Sequence, residues 1–541
     1  MHLMTDTSAQ SHFSNVPTIS RSRNAFSIAK KHVTTIQFDQ LFPMYWKYIY
    51  PGDTLSIDFK ALARLATQTT TLYDDLYFDA HAWFVPFRLL QTDWARYQFN
   101  SQPTGPNQDN SALTSPKIDL TGMTTGFASK SLYDYFGFPT LINQAASGQH
   151  MNNYLGRAYN FIWNTNYRDE NLQSAVTVDL DNGPDNPADY VLKKRGKRFD
   201  KFTSMLTAAQ KGTAPLLPVG TSAPILGIAT LNSVNFSAGT SGAVRESGST
   251  STQTYSPYYE ASGGGANLII EGVAGGGTGA YPNIRADLSQ AIGTSLNQFR
   301  ISVAVQHLME ADARGGTRDV ESIQHRWGVT VPDFRLQRPE YLGGQTFMFD
   351  GHVVPQTSET GTTPQGNLVQ FSQSLSSMNI NHSFVEHGVF MILLSARSNM
   401  TYQQGLKREL SYMTRFDWYQ PEFSNLGEVA VLSKEQYFDG TSADNETAGF
   451  QEYAYELRYD DNIVTSEMRS NFPQSLDSKH MAYDFATRPT LSSGYIESYT
   501  PIDRNIVVNP SVADPIELNT LTLGRIARTL PMYSIPGLNR L

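Results

Sequence analysis

The ten residues Leu76–Val85 read LYFDAHAWFV, and they fix more of the fold than any other stretch. On an extended chain, successive side chains point to opposite faces. Leu76, Phe78, Ala80, Ala82 and Phe84 then share one face, and Tyr77, Asp79, His81, Trp83 and Val85 share the other. The first set is wholly apolar and must face a core. The second mixes aromatic and polar groups and is expected to meet solvent or a neighbouring subunit. Further along, Val389–Leu394 is a continuous apolar run of the kind a fully buried strand carries. Between them these stretches predict a mainly β chain.

Composition agrees. Of 541 residues, 12% are aromatic and only 17% charged, against a usual charged share of about 25%. Aromatics suit pleated sheets, and a low charge content suits surfaces that end up against partners. The net charge of −9 excludes a protein that coats long nucleic acid over its whole face. With no cysteine there is no disulfide, no thiolate nucleophile and no Cys-ligated zinc site. The N-terminal MHLMTDTSAQSHF lacks a charged-then-apolar signal pattern. The longest apolar run is far short of the ~20 residues a membrane span needs. The chain reads as soluble and non-secreted.

Along the chain, residues 1 to about 25 read as a flexible polar arm. Thr34–Pro86 is strand-like, with a turn at Tyr50-Pro51-Gly52-Asp53. Residues 100–190 are rich in turn clusters, with one helical piece expected at Ser131–Phe136. A Gly/Ser-rich stretch at about 213–283 reads as a large surface insertion. Helical spacing then predicts a helix over Ile284–Ala313, with a Glu310–Arg314 pair and a stop at Gly315-Gly316. Gly343–Ser398 returns to β-type sequence, and the last hundred residues are loop-rich and aromatic.

Candidate chemistry is sparse. Asp79 and His81 share a strand face, but two ligands without a third make a weak metal pair. His382, Glu386 and His387 form H-x-x-x-E-H, one residue too long for the helical zinc motif. His307 and Glu310 sit at i,i+3 near a helix end. GGGTGA (275–280) lacks the lysine of a phosphate-binding loop. These weigh toward structural roles, so no catalytic or metal residue and no cofactor is expected. The sharpest charge run is KKRGKR, whose Lys193, Lys194, Arg195, Lys197 and Arg198 are candidate phosphate contacts. Phe199 and Phe202 could stack on unpaired bases. The N-terminal segment adds Arg21, Arg23, Lys30 and Lys31. This profile fits an assembly protein better than its rivals, a β-rich metal- or carboxylate-dependent hydrolase or a surface adhesin.

Ten ordered stretches sharpen this reading. They include VPTISRSRNAF (16–26), YPGDTLSIDFKALARLAT (50–67), YFDAHAWFVPFRLL (77–90) and FTSMLTAAQKG (202–212). MEADARGGTRDVESIQHRWGV (309–329) and LQRPEYLGG (336–344) follow. Then come NHSFVEHGVFMILLSARSNMTYQQGL (381–406), RFDWYQPEFSNLGEVAVL (415–432), DFATRPTLSSGYIES (484–498) and YSIPGL (533–538). Together they resemble the major capsid protein of the Microviridae, in its gokushovirus-like branch. The resemblance implies one eight-stranded antiparallel jelly roll over residues 1–541, with very long loops. It implies a T=1 icosahedral shell of identical subunits around a circular single-stranded DNA genome. The implied partners are a small basic DNA-packaging protein, an internal scaffolding protein, a pilot protein and a host-surface receptor. The Gly/Ser insertion falls where that branch carries a variable loop that forms three-fold protrusions, which makes Tyr255, Tyr258 and Tyr259 candidate host contacts.

Overall fold

A computed structural model describes residues 22–99, 113–145, 150–213 and 296–533, apart from 316–317, 334, 336, 356, 360, 362–367 and 510–511. It also describes short strands inside 225–286. Residues 210–313 gather into one compact unit, and the rest of the chain forms the other.

In the larger unit the sequence alternation is realised as a sandwich. Its strands are β1 (Asn24–Ile36), β2 (Phe42–Ile49), β3 (Thr54–Leu65), β4 (Leu76–Pro86), β5 (Glu340–Met348), β6 (Asp350–Pro355), β7 (Leu368–Ser383), β8 (Gly388–Ser398) and β9 (Ile516–Arg528). One sheet runs β1-β9-β3-β7-β6 and the other β5-β4-β8-β2, with every pair antiparallel. The chain changes sheet at every step except β4 to β5 and β6 to β7. That is the winding of a jelly roll, which leaves few long exposed edges. The sandwich holds nine strands where eight were expected, because β6 adds to the edge of the five-stranded sheet beside β7.

The main core lies between the sheets. Leu55, Ile57 and Phe59 of β3 meet Phe42 and Met44 of β2, Phe78 and Phe84 of β4, and Phe390 and Ile392 of β8. A second core covers the other face of the four-stranded sheet. There Trp83, Val85, Val389, Met391 and Leu393 pack against Leu132, Leu155, Ala158, Tyr159 and Ile162. The last five come from two helices, at Leu132–Phe136 and Tyr154–Ile162. All eleven residues of β8 are buried, because odd positions fill one core and even positions the other. This double coverage explains why its sequence runs apolar without alternating.

The same layer corrects the expectation for β4. At Trp83 and Val85 its mixed face meets neither solvent nor another subunit, because the chain's own helices cover it, while Tyr77 and His81 are only half-buried. Alternation reveals that a strand has two faces, but what covers each face is set by residues far away in sequence. The helix Tyr154–Ile162 lies in the segment expected to be loop-rich. Arg157 anchors it: its Nε and Nη2 donate to the Asp185 carboxylate at 2.7 and 2.5 Å. Both side chains of that pair are fully buried, so each charge depends on the other for its stability.

Further on, the short helix expected at Ser131–Phe136 forms over Leu132–Phe136, with Ser131 as its cap. The later helix spans Leu296–Arg314 rather than starting at Ile284. Glu310 accepts from Gln306 at 2.7 Å, while Arg314 bonds Glu428 at 2.9 Å, so the expected Glu310–Arg314 pair gives way to other partners. A further helix, Asp319–Trp327, follows the stop at Gly315. Among the described residues, no helix is long and apolar enough to cross a membrane.

Candidate functional site

The helical layer stops short of the start of β4, and the sheet there carries a cluster of charge. The register sets Tyr77 beside Arg397 and Asp79 beside Ser395, with Thr346 on the other side of Asp79. Arg195 reaches over this row from the loop above. Its Nη1 donates to Asp79 Oδ2 in a short contact and to Ser395 Oγ at 2.9 Å. Arg397 Nε donates to Asp79 Oδ2 at 2.7 Å and Nη2 to Oδ1 at 3.5 Å. Thr346 Oγ1 donates to Oδ1 at 2.6 Å, and the Arg397 guanidinium lies 4.7 Å from the Tyr77 ring centre.

Burial alone would push the Asp79 carboxyl up, but Arg195 and Arg397 overcome it and hold it at about 2. An ion pair ordinarily raises its arginine. Arg397 instead falls, because burial and the charges of Arg198 and Arg195 outweigh one carboxylate. The cluster is therefore two-to-one in favour of positive charge.

His81 points away from any ligand role. Its Nδ1 meets the Tyr167 hydroxyl at 2.7 Å, and the rings stack at 5.9 Å. Burial first, and then the charge of Arg195, pull it down to about 4. It is a neutral, half-buried histidine at physiological pH.

The other sequence candidates disperse. His382 lies 3.8 Å from Glu340. Glu386 accepts from Arg88 at 2.6 and 3.2 Å. His387 packs against the rings of Tyr50, Trp94 and Phe99. Among the described residues, no three His, Asp or Glu side chains are placed to hold a metal. The loop 275–280 lies outside the described residues.

The basic residues divide into engaged and open. From Asn24 the basic N-terminal segment is a strand paired with β9 along its whole length, so Lys30 and Lys31 do not belong to a free arm. Arg23 Nη1 donates to Gly52 O at 2.8 Å and Thr54 Oγ1 at 3.1 Å. The Lys30 ammonium sits 5.5 and 5.3 Å from the Tyr45 and Trp46 ring centres, and Lys31 is exposed. In the KKRGKR run, the Lys193 amide donates to Tyr159 Oη at 2.9 Å and Lys194 lies 3.5 Å from Glu497. Lys197 lies over Tyr495 and Tyr483 at 4.1 and 4.7 Å, and burial lowers it to about 8. Arg198 is exposed and Phe199 is 77% exposed, whereas Phe202 is buried in a third core with Met205 and Tyr455. Arg21 and Tyr255 lie outside the described residues. Tyr258 and Tyr259 lie on the strand Tyr258–Glu260, paired with Leu268–Ile270.

Sequence reading missed an exposed aromatic surface. In the segment 410–426, Met413, Phe416, Trp418 and Tyr419 are all exposed. Trp418 packs edge-on to Tyr412 at 5.1 Å, and the Arg415 guanidinium covers Phe416 at 4.6 Å. The outer face of the five-stranded sheet adds an apolar row, Val33, Leu62 and Leu375, bridged by Asn519. Its sequence signal was the aromatic density of RFDWYQPEF.

Cohesive cores, saturated carboxylates and exposed aromatic loops define a structural protein that works through its surfaces. Comparison with known proteins agrees. The family described as "Capsid protein (F protein)" matches residues 14–538. The chain is 39% identical to "Capsid protein VP1" of Bdellovibrio phage phiMH2K over 92% of both chains. It is 33% identical to "Capsid protein VP1" of Chlamydia phage 1 over 98% of both, and 34% identical to that of Spiroplasma virus 4 over 96% of both. The chain belongs to this family: it is a gokushovirus-like major capsid protein of the Microviridae, a structural component of a phage virion rather than an enzyme.

Proposed function

We propose that identical copies close into a T=1 icosahedral shell around a circular single-stranded DNA genome. The observation that carries this is the near-full-length kinship with capsid proteins on a jelly-roll-like sandwich. Closed symmetry makes one chain present several different surfaces to its neighbours, and long loops rich in exposed aromatics suit that demand. A subunit of net charge −9 cannot neutralise packaged DNA alone. A small basic packaging protein supplies the remaining positive charge, an internal scaffolding protein guides assembly, and a pilot protein travels with the genome. The sandwich and its loops act as one jelly-roll domain behind an N-terminal arm. The insertion at about 213–283 rises as three-fold protrusions, where Tyr255, Tyr258 and Tyr259 meet the host receptor. Lys31 and Arg198, both exposed, make local DNA contacts.

Electron cryomicroscopy of purified particles, combined with single-strand-specific nuclease digestion of the extracted nucleic acid, tests this. Small T=1 particles with nuclease-sensitive circular DNA are expected. A larger lattice, or a duplex genome, would overturn it.

A further inference from the structure

Four strands edge the two sheets, and three of them carry features that discourage further pairing. β1 bears Lys30 and Lys31, and the Tyr135 hydroxyl donates to Thr35 O at 2.8 Å. β2 is buried or half-buried throughout. β5 breaks register between Tyr341 and Gly343. β6 differs. Its six residues, Asp350–Pro355, hold a regular register with β7, and all are exposed. Among the described residues nothing pairs with its free side. Beside this edge lies a cleft of about 310 Å³, walled by the segment 71–76. Gln370 fixes that wall: it lies over Gly351, where a side chain would strike it, and accepts from the Leu72 amide at 2.8 Å. Val353 pairs with Gln370, so Leu72 stands near Val353. The Phe349 amide donates to Leu76 O at 2.9 Å, which brings Asp74 near Gly351. The cleft is therefore apolar at one end and acidic at the other, where Asp75 joins Asp74. Lys479, 5.6 Å from the Tyr73 ring centre, offsets one of these charges, and Asp350 at the start of β6 adds another.

We infer that β6 takes residues 16–21 of a second copy, VPTISR, as an added antiparallel strand. An exposed edge supplies main-chain hydrogen bonds, and a cleft beside it selects alternate side chains. In VPTISR, Ile19 and Arg21 fall on one face, two residues apart. With Ile19 opposite Val353, the apolar side chain meets Leu72 and Val353. Arg21 then lies opposite Gly351, where no side chain blocks its way to Asp74 and Asp75. Val16, Thr18 and Ile19 favour an extended chain, and Pro17 falls opposite Pro355, where a free edge tolerates it. The donor is another copy because the chain's own segment is out of reach. Asn24 and Ser383 mark one end of the five-stranded sheet, and β6 pairs with the other end of β7. Asn24 is therefore about 40 Å from Gly351 along the strands and about 19 Å across them. The three links from Arg21 to Asn24 span at most about 10 Å. The inference rests on the reading that identical copies close into a shell, and it names one of the contacts that join them.

The test uses assembled particles of the full-length chain, which has no cysteine of its own. With Ile19→Cys and Val353→Cys together, mild oxidation should link copies into disulfide-bonded multimers on a denaturing gel. Either cysteine alone should leave monomers. Arg21→Glu should raise the protein concentration needed for assembly about fivefold, the upper range for one exposed ion pair. Adding Asp75→Arg should restore the parent value, which loss of a merely structural arginine would not allow. Absence of the cross-link in assembled particles, or a cross-link closed within one chain, would overturn the contact. So would a double variant that assembles no better than Arg21→Glu. Should the cysteine variant fail to assemble, the charge-swapped pair still decides. Particles of another symmetry would sink the T=1 reading and leave the cross-link result standing.

Discussion

Asp79 and His81 stand two residues apart on one strand face, and their surroundings set opposite protonation behaviour. Asp79, saturated by arginines, stays ionised down to about 2. His81, buried against Tyr167, stays neutral down to about 4. The signs give separate pH windows. Asp79 contributes stability that is present above the ordinary carboxylate range and lost as pH falls through 2. His81 is also depressed, so its contribution is full above about 6.5 and is lost as pH falls toward 4, a difference of about 3 kcal/mol at 1.36 per unit. His81→Gln keeps a polar side chain but removes the titration. Urea midpoints of the unassembled chain should fall between pH 6.5 and 4 in the parent and stay nearly level in the variant. Parallel curves would show that His81 does not titrate with folding. The sequence made the shared face of this pair visible. It hid the cover over that face, because Tyr167, Arg195 and Arg397 arrive from three distant segments.

At the scale of elements, legibility followed range. The apolar face of β4, the buried run of β8 and the short helix after Ser131 are local patterns, and the fold realises each of them. The helix Tyr154–Ile162 escaped because its sequence, YLGRAYNFI, is interrupted by Gly156, Arg157 and Asn160. Gly156 leaves room that Asn153 and Tyr190 fill, and Arg157 is tolerated only because Asp185 meets it. Neither compensation can be read from the helix itself. The KKRGKR run hides its partners in the same way: Arg195 pairs with Asp79 and Lys197 lies over Tyr495, both far away in sequence. Position within a layer should also govern cost. Leu393 of β8 is 1% exposed in the second core, and Leu521 of β9 is 37% exposed on the outer sheet face. Leu393→Ala should cost about 2–5 kcal/mol in chemical denaturation of the unassembled chain. Leu521→Ala should stay within about 0.5 kcal/mol. Equal losses would mean that the helical layer does not bury β8 as described.

For the whole molecule, folding and assembly draw on separate sets of residues. The two cores between and beside the sheets are closed, and their apolar side chains are spent. The exposed set lies in the loops and on the outer sheet face, above all Met413, Phe416, Trp418 and Tyr419. Soluble monomers rarely leave large apolar patches uncovered, and aromatic anchors dominate the energetics of protein interfaces. In the proposed shell, that surface would be buried against identical copies. Trp418 is 60% exposed and touches mainly Tyr412 of its own chain, so its removal should spare the fold. Trp418→Ala should leave the thermal midpoint of the unassembled chain within a few degrees of the parent. At an interface, losing such an anchor costs about 2 kcal/mol or more per contact, and a closed shell repeats the loss at every copy. Assembly followed by light scattering or sedimentation should therefore need a markedly higher protein concentration, or stop at small oligomers. Shells formed at the parent's concentration would place the loop 410–426 away from the subunit contacts. The apolar row Val33, Leu62 and Leu375 would then be the surface left to join neighbouring copies.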